Sequence, residues 1–184
     1  MSVTASGKLS VQDFLEMDTL EAGFLYELIN GELAKRSSPS TDHQRSSRQV
    51  FKILENFVST QKLGECFYAP FDVIFDEENL TQPDILFVSQ AKSTIVTENC
   101  VEGAPDLIIE ILSPGTFKTD RGDKMKLYSR FGVPEYWIVD PKNRAVEVYG
   151  LRGQVYELIS FGIESGEVAS TVLPGLKIPV EQIF

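Results

Sequence analysis

Cysteine and histidine are nearly missing from these 184 residues: Cys66, Cys100 and His43 are all there is. The two thiols have neither CxxC spacing nor a disulfide framework, and with one histidine they cannot fill a four-ligand zinc site, so stapled scaffolds and zinc modules are excluded. No stretch approaches the ~20 consecutive apolar residues of a membrane span, and the opening MSVTASGKLS has no apolar signal-peptide core. The expected location is cytoplasmic, with no membrane partner. Positive charge is scarce too, 17 Lys and Arg against 27 Asp and Glu for a net charge of −10. That balance weighs against a broad electrostatic surface for nucleic acid. Repeats, low-complexity tracts and long linkers are also lacking. A chain of this length, 42% hydrophobic, can build one sizeable core and is too short for two comfortable ones, so a single domain over residues 1–184 is expected.

The basic residues present are clustered: Lys35, Arg36, Arg45, Arg48 and Lys52, then Lys118, Arg121, Lys124, Lys126 and Arg130. Such runs are more often solvated faces than binding sites. Ser10 with Asp13 signals the start of a short helix in SVQDFLEM. Asn30-Gly31 between the apolar-rich arms of GFLYELINGELAKRS signals a hairpin, because a type I′ turn needs positive φ at both central residues. In TDHQRSSRQVFKILENFVSTQKLG the positions Val50, Ile53, Leu54 and Phe57 recur at helical spacing, with Gly64 as the expected stop. CFYAPFDVIFD reads as extended, and PDILFVS and PDLIIEILS as central strands buried on both faces. Residues 119–131 form a helical pattern with Asp120, Lys124, Leu127, Tyr128 and Phe131 on one side. EYWIVD, RAVEVYGL and QVYELISF predict three more strands, with turns at Asp140-Pro141-Lys142-Asn143 and Arg152-Gly153, and LPGLKIPVEQIF a turn and short closing helix. Helices interleaved with a mixed sheet make an α/β or α+β sandwich.

Two carboxylates stand where apolar strands should not tolerate them. Asp84 opens PDILFVS, and Glu110 lies between Ile109 and Ile111. An ionised carboxylate in apolar surroundings costs several kcal/mol or more unless it is paired, hydrogen-bonded or metal-bound. On neighbouring strands the two could converge on one Mg²⁺, which takes few carboxylates and keeps its other positions for water and phosphate, with the Ile111 carbonyl as a further ligand. Against this, Asp after Pro is common in turns, and Asp84 could merely end a loop. Lys124, four residues after Asp120 and four before Tyr128, points at the sheet while Lys126 points away. A cation there could position or help deprotonate an attacking water and stabilise charge on a phosphate. The alternative for Lys124 is an exposed ion pair with Asp120 worth a few tenths of a kcal/mol. Asp106 suits a capping role, and Tyr128 and Trp137 suit the core.

The ordered segments YELINGEL, SPSTDHQ, QPDILFV, APDLIIEILSPGT, TDRGDKMKLYSRFGVPEYWIVDP and LPGL resemble the Uma-type family of putative restriction endonucleases, within the PD-(D/E)xK nuclease superfamily. The resemblance implies a restriction-endonuclease-like fold: a mixed central β-sheet flanked by helices, with an N-terminal β-hairpin and C-terminal antiparallel strands. It makes Asp84 and Glu110 the motif acids of a DNA endonuclease using Mg²⁺ or Mn²⁺ and leaving 5′-phosphate and 3′-hydroxyl ends. The superfamily lysine is expected two residues after the acid, where this chain has Leu112; the family pattern carries that role onto Lys124. The same pattern has an acid at Glu27, a further ligand or supporting group, and a histidine at His43, which could reach a phosphate. For Glu27, surface placement on the hairpin is equally open, and a lone histidine such as His43 is more often merely polar surface. The expected partners are DNA and a second copy of the chain in a homodimer. The rival reading is a non-catalytic module on a nuclease scaffold that self-associates through its C-terminal strands.

Overall fold

The computed structural model describes residues 8–17, 21, 24–36 and 38–184. Its order begins with helix α1 (Val11–Leu15), the hairpin strands β1 (Leu25–Ile29) and β2 (Glu32–Arg36), and the long helix α2 (Thr41–Gln61). Strands β3 (Gly64–Tyr68), β4 (Asp72–Asp76), β5 (Asn79–Thr81), β6 (Ile85–Ser89), β7 (Cys100–Glu102) and β8 (Leu107–Ile111) follow. Then come helices α3 (Phe117–Arg121) and α4 (Asp123–Arg130) and strands β9 (Glu135–Asp140), β10 (Ala145–Arg152), β11 (Val155–Ile163), β12 (Glu167–Ala169) and β13 (Lys177–Pro179). A short 3₁₀ turn at Val180–Gln182 closes the chain. No helix among the described residues is long and apolar enough to cross a membrane.

Local chemistry explains several boundaries. Ser10 and Asp13 complete a capping box at α1. Asn30 and Gly31 take φ of 53° and 74°, the positive values of a type I′ turn, and join β1 to β2 in direct register. α2 is capped by the Ser40 side chain, which accepts from the His43 N–H. Its stop differs from expectation: Lys62, in the left-handed region at φ 56°, ends the helix. Gly64 instead begins β3, where a Cβ would meet the Val88 carbonyl oxygen at 2.1 Å, so its role is close strand approach. The expected single helix over residues 119–131 is two helices, broken at Gly122, with Asp120 on α3 and Lys124 on α4. The last hairpin turns at Gly153 and Gln154, one residue later than expected.

The strands form a six-stranded sheet in the order β11-β10-β9-β8-β6-β3, a five-stranded sheet β2-β1-β5-β4-β7, and the pair β12-β13. β6 and β8 are adjacent and antiparallel, and β8 runs parallel to β9. The two-residue period of β8 divides its side chains between two cores. Leu107, Ile109 and Ile111 pack with Val50, Leu54 and Val58 of α2. Ile108 and Leu112 pack with Leu127 and Tyr128 on the α4 side. Glu110 has the parity of Ile108 and Leu112, and Asp84 that of Leu86 and Val88, so strand geometry sends both acids to the α4 side.

Candidate active site

Seven elements meet at the seam between the two large sheets. β1 supplies Glu27, β2 supplies Arg36, α2 supplies His43, the entry to β6 supplies Asp84, β8 supplies Glu110, and α3 and α4 supply Asp120, Lys124 and Tyr128. Each is buried, and Glu27, Glu110, Asp120, Lys124 and Tyr128 are wholly so. Glu27 is therefore an interior acid of the hairpin and not a surface one.

Two cations bind this ring of acids together. Arg36 Nη2 lies 3.0 Å from Asp84 Oδ1 and 3.9 Å from Glu110 Oε2, so one guanidinium nitrogen spans both motif carboxylates. Its Nη1 lies 3.5 Å from Glu27 and donates to the Gln82 carbonyl at 2.6 Å. Lys124 Nζ reaches Glu27 at 2.8 Å, Glu110 at 2.9 Å and Asp120 at 3.6 Å. The Asp120–Lys124 pair is thus buried and shared, not an exposed helical contact; Lys126 is exposed. Tyr128 belongs to the core, as expected, but its hydroxyl also donates to Glu110 Oε1 at 2.8 Å. The Ile111 N–H donates to Asp84 Oδ2 at 2.7 Å, and His43 Nε2 stands 3.1 Å from the same oxygen. Because N–H and C=O of one strand residue face the same neighbour, the Ile111 carbonyl also lies on the Asp84 side. Asp106 stands apart, accepting from the Ser89 N–H and pairing with Lys92.

Burial works against ionisation at Asp84, but the His43 contact, the Arg36 guanidinium and the Ile111 N–H together hold it below its usual value. Glu110 goes the other way: burial, aided by the charges of Asp120 and Asp84, pushes it up to about 8 in spite of Lys124 and Arg36. Burial raises Asp120 as well. Desolvation works against the charge on Lys124, but its carboxylate neighbours Glu110, Glu27 and Asp120 outweigh it and hold the metal-free lysine protonated.

These shifts fix a pH dependence. Glu110 holds a proton in the folded state that the unfolded chain releases near 4.5, so its contribution to stability is complete below that pH and is lost as pH rises through about 8. Asp120 acts in the same direction. Asp84, lowered, opposes them only as pH falls below its ordinary 3.8. The urea midpoint of metal-free protein in chelator is expected to fall between pH 5 and 9, and a flat or rising profile would contradict the site's electrostatics.

Among the described residues no three His, Cys, Asp or Glu side chains converge as a ready metal cluster. The donor set nonetheless suits a hard cation. Glu27 Oε2 and Glu110 Oε2 are buried without a hydrogen-bond donor. Four carboxyl groups face two permanent cations, so acids outnumber bases in the cluster, and burial raises Glu110 and Asp120 toward their protonated forms. An oxygen-rich set with more acids than bases suits a small divalent ion, which Asp84, Glu110 and the Ile111 carbonyl would hold. A cavity of about 310 Å³ opens on this cluster, lined in part by Arg36, His43 and Asp84.

Reasoning from the chain alone missed Arg36 and the second role of Tyr128, and Asp120 was visible only as a helical neighbour of Lys124. A signal existed for Arg36: it closes the hairpin strand opposite Leu25, two residues before Glu27.

Residues 11–181 match the model of a family described as "Uma2: Putative restriction endonuclease". An uncharacterized protein of Synechocystis sp. is 24% identical over 146 residues, which cover 77% of this chain and 74% of that relative. The crystal structure of a putative nuclease from Anabaena variabilis superposes with a TM-score of 0.77 at 20% identity, covering 96% of this chain and 97% of the other. At that identity the likeness is one of fold.

Proposed function

This chain belongs to the Uma2 family of putative restriction endonucleases, and we propose that it is a nuclease that hydrolyses DNA phosphodiester bonds with Mg²⁺ or Mn²⁺ held by Asp84, Glu110 and the Ile111 carbonyl. The observation that carries the reading is a buried, oxygen-rich cluster of four carboxyl groups gathered on two cations beside an open cavity. A divalent ion there would polarise a phosphate oxygen and acidify a bound water.

The chain's own groups have separable tasks. Lys124, with Tyr128, fixes Glu110 Oε1 and leaves its other oxygen directed away from the lysine. Held protonated, Lys124 supplies charge and orientation and takes no proton from water. Glu27 anchors both cations through one oxygen. His43 and the Ile111 N–H orient Asp84 through Oδ2, which leaves Oδ1 to Arg36. Arg36 lines the cavity with its guanidinium committed to Asp84, Glu27 and the Gln82 carbonyl, and so holds these groups in place beside the opening. Because the site draws on both large sheets, we read the chain as one catalytic domain. A cytoplasmic location and a homodimer belong to the same reading; the exposed apolar side chains Val155, Leu158, Phe161 and Ile163 on edge strand β11 support self-association.

The test pairs cleavage with binding. Purified protein is expected to nick supercoiled plasmid with Mg²⁺ or Mn²⁺ and to stop in chelator. The same ions are expected to raise the unfolding midpoint by mass action: at 100 times Kd the gain is about 2.7 kcal/mol, on the order of 5–10 °C for a chain this size. Protein that neither cuts nucleic acid nor shifts its midpoint with divalent ions would overturn the reading and favour the self-associating module.

A further inference from the structure

A second cavity, of about 470 Å³, adjoins the first and shares Gln44, Ser47 and Tyr68 with it. Together they form one trough along α2, running from Asp84 and Arg36 to Arg45, Arg48 and Phe51. The trough is basic and aromatic in a chain of net charge −10. Arg45 and Arg48 are exposed, with Arg45 leaning 3.3 Å from Asp42 across a pair open to solvent. Tyr68 is 62% exposed although it is a large aromatic on a strand, and it is held by the Phe51 ring, which meets it at 69° with centroids 4.7 Å apart. Seated on Phe51, this exposed ring presents an open aromatic surface between the exposed guanidiniums and the candidate cluster.

We propose that this trough binds a single-stranded nucleic-acid segment, one base stacking on Tyr68 and the flanking phosphates meeting Arg45 and Arg48, so that the strand leads past Tyr68 to Arg36 and Asp84. A base inside a duplex has both faces covered by its neighbours; only a base in a single strand, a frayed end or a flipped position can offer a face to Tyr68. Stacking of this kind tolerates any base, and the paired arginines follow the backbone without reading it. The inference rests on the nuclease reading and narrows its substrate to unpaired or locally opened strands.

Anisotropy of a fluorescein-labelled 12-nucleotide strand, and of the same sequence as blunt duplex, tests this in chelator, where binding is separate from cleavage. The strand is expected to bind more tightly than the duplex. Tyr68→Ala is expected to weaken strand binding roughly 5- to 150-fold, the range of one base–aromatic stack, and Tyr68→Phe to restore it. Arg45→Ala and Arg48→Ala are expected to weaken both forms and each to reduce the salt slope for the strand by about 0.7. Duplex bound as well as strand, or Tyr68→Ala binding like the parent, would overturn the trough; Mg²⁺-dependent cleavage by that same preparation would leave the nuclease reading standing. Strand binding that depends on Tyr68, without cleavage under any divalent ion, would support the trough and remove the nuclease. Absence of both binding and cleavage would remove the two together.

Discussion

Glu110→Gln is expected to cost on the order of 10²–10⁴-fold in single-turnover cleavage at saturating Mg²⁺, the loss of several kcal/mol of charge stabilisation at the reacting phosphate. It is expected to leave the metal-free fold nearly untouched. Burial has already pushed this carboxyl up to about 8, so at neutral pH it is largely protonated in the absence of metal, and glutamine imitates that form. Tyr128 can still donate to the amide oxygen, and Lys124 keeps Glu27 at 2.8 Å and Asp120 at 3.6 Å. The variant should also lose the metal-dependent rise in unfolding midpoint. Asp84→Asn is expected to match the activity loss but to destabilise the protein, because Asp84 is ionised, paired with Arg36 at 3.0 Å, and accepts from Ile111 at 2.7 Å. Paired urea titrations and cleavage assays decide this. A Glu110→Gln protein that keeps parental activity, or one destabilised as much as Asp84→Asn, would mean that Glu110 is a structural partner of Lys124 and not a ligand.

Lys124→Ala is expected to produce the largest change in stability, about 3–5 kcal/mol, because it leaves buried acids without the cation they share. Three carboxylates, Glu27, Glu110 and Asp120, converge on that one ammonium, and all are fully buried. Complete burial of Lys124 means that the loss falls on the fold as well as on activity. Without Lys124, Glu110 and Asp120, already raised by burial, favour protonation in the folded state still more strongly, so stability persists below the ordinary carboxylate range and is lost as pH rises. The deficit relative to the parent should be small near pH 4.5 and large at pH 8 in urea unfolding. An equal deficit at both pH values would point to lost packing in place of lost charge, and no deficit at pH 8 would refute the shared-cation network.

Features written into a few neighbouring residues could be read directly from the chain. Asn30-Gly31 demanded a turn with positive φ wherever the hairpin would lie. Ser10 and Asp13 could cap only a helix beginning at Val11. The apolar runs after Asp84 and around Glu110 could be satisfied only as strands covered on both faces, and helical spacing alone turned Lys124 inward and Lys126 outward. These depend on φ/ψ preference and on the periods of helix and strand, which act over one turn or one pleat. The break at Gly122, the capture of Asp120 and Tyr128 by Glu110 and Lys124, and above all Arg36 were settled by tertiary structure. Arg36 lies 48 residues from Asp84 along the chain and meets it only because the hairpin sheet closes over the seam of the larger one. Which cation neutralises a buried acid depends on which sheets approach, and that is a property of the packed chain: local sequence determined that Asp84 and Glu110 needed partners, and only the meeting of the two sheets decided that Arg36 and Lys124 would supply them.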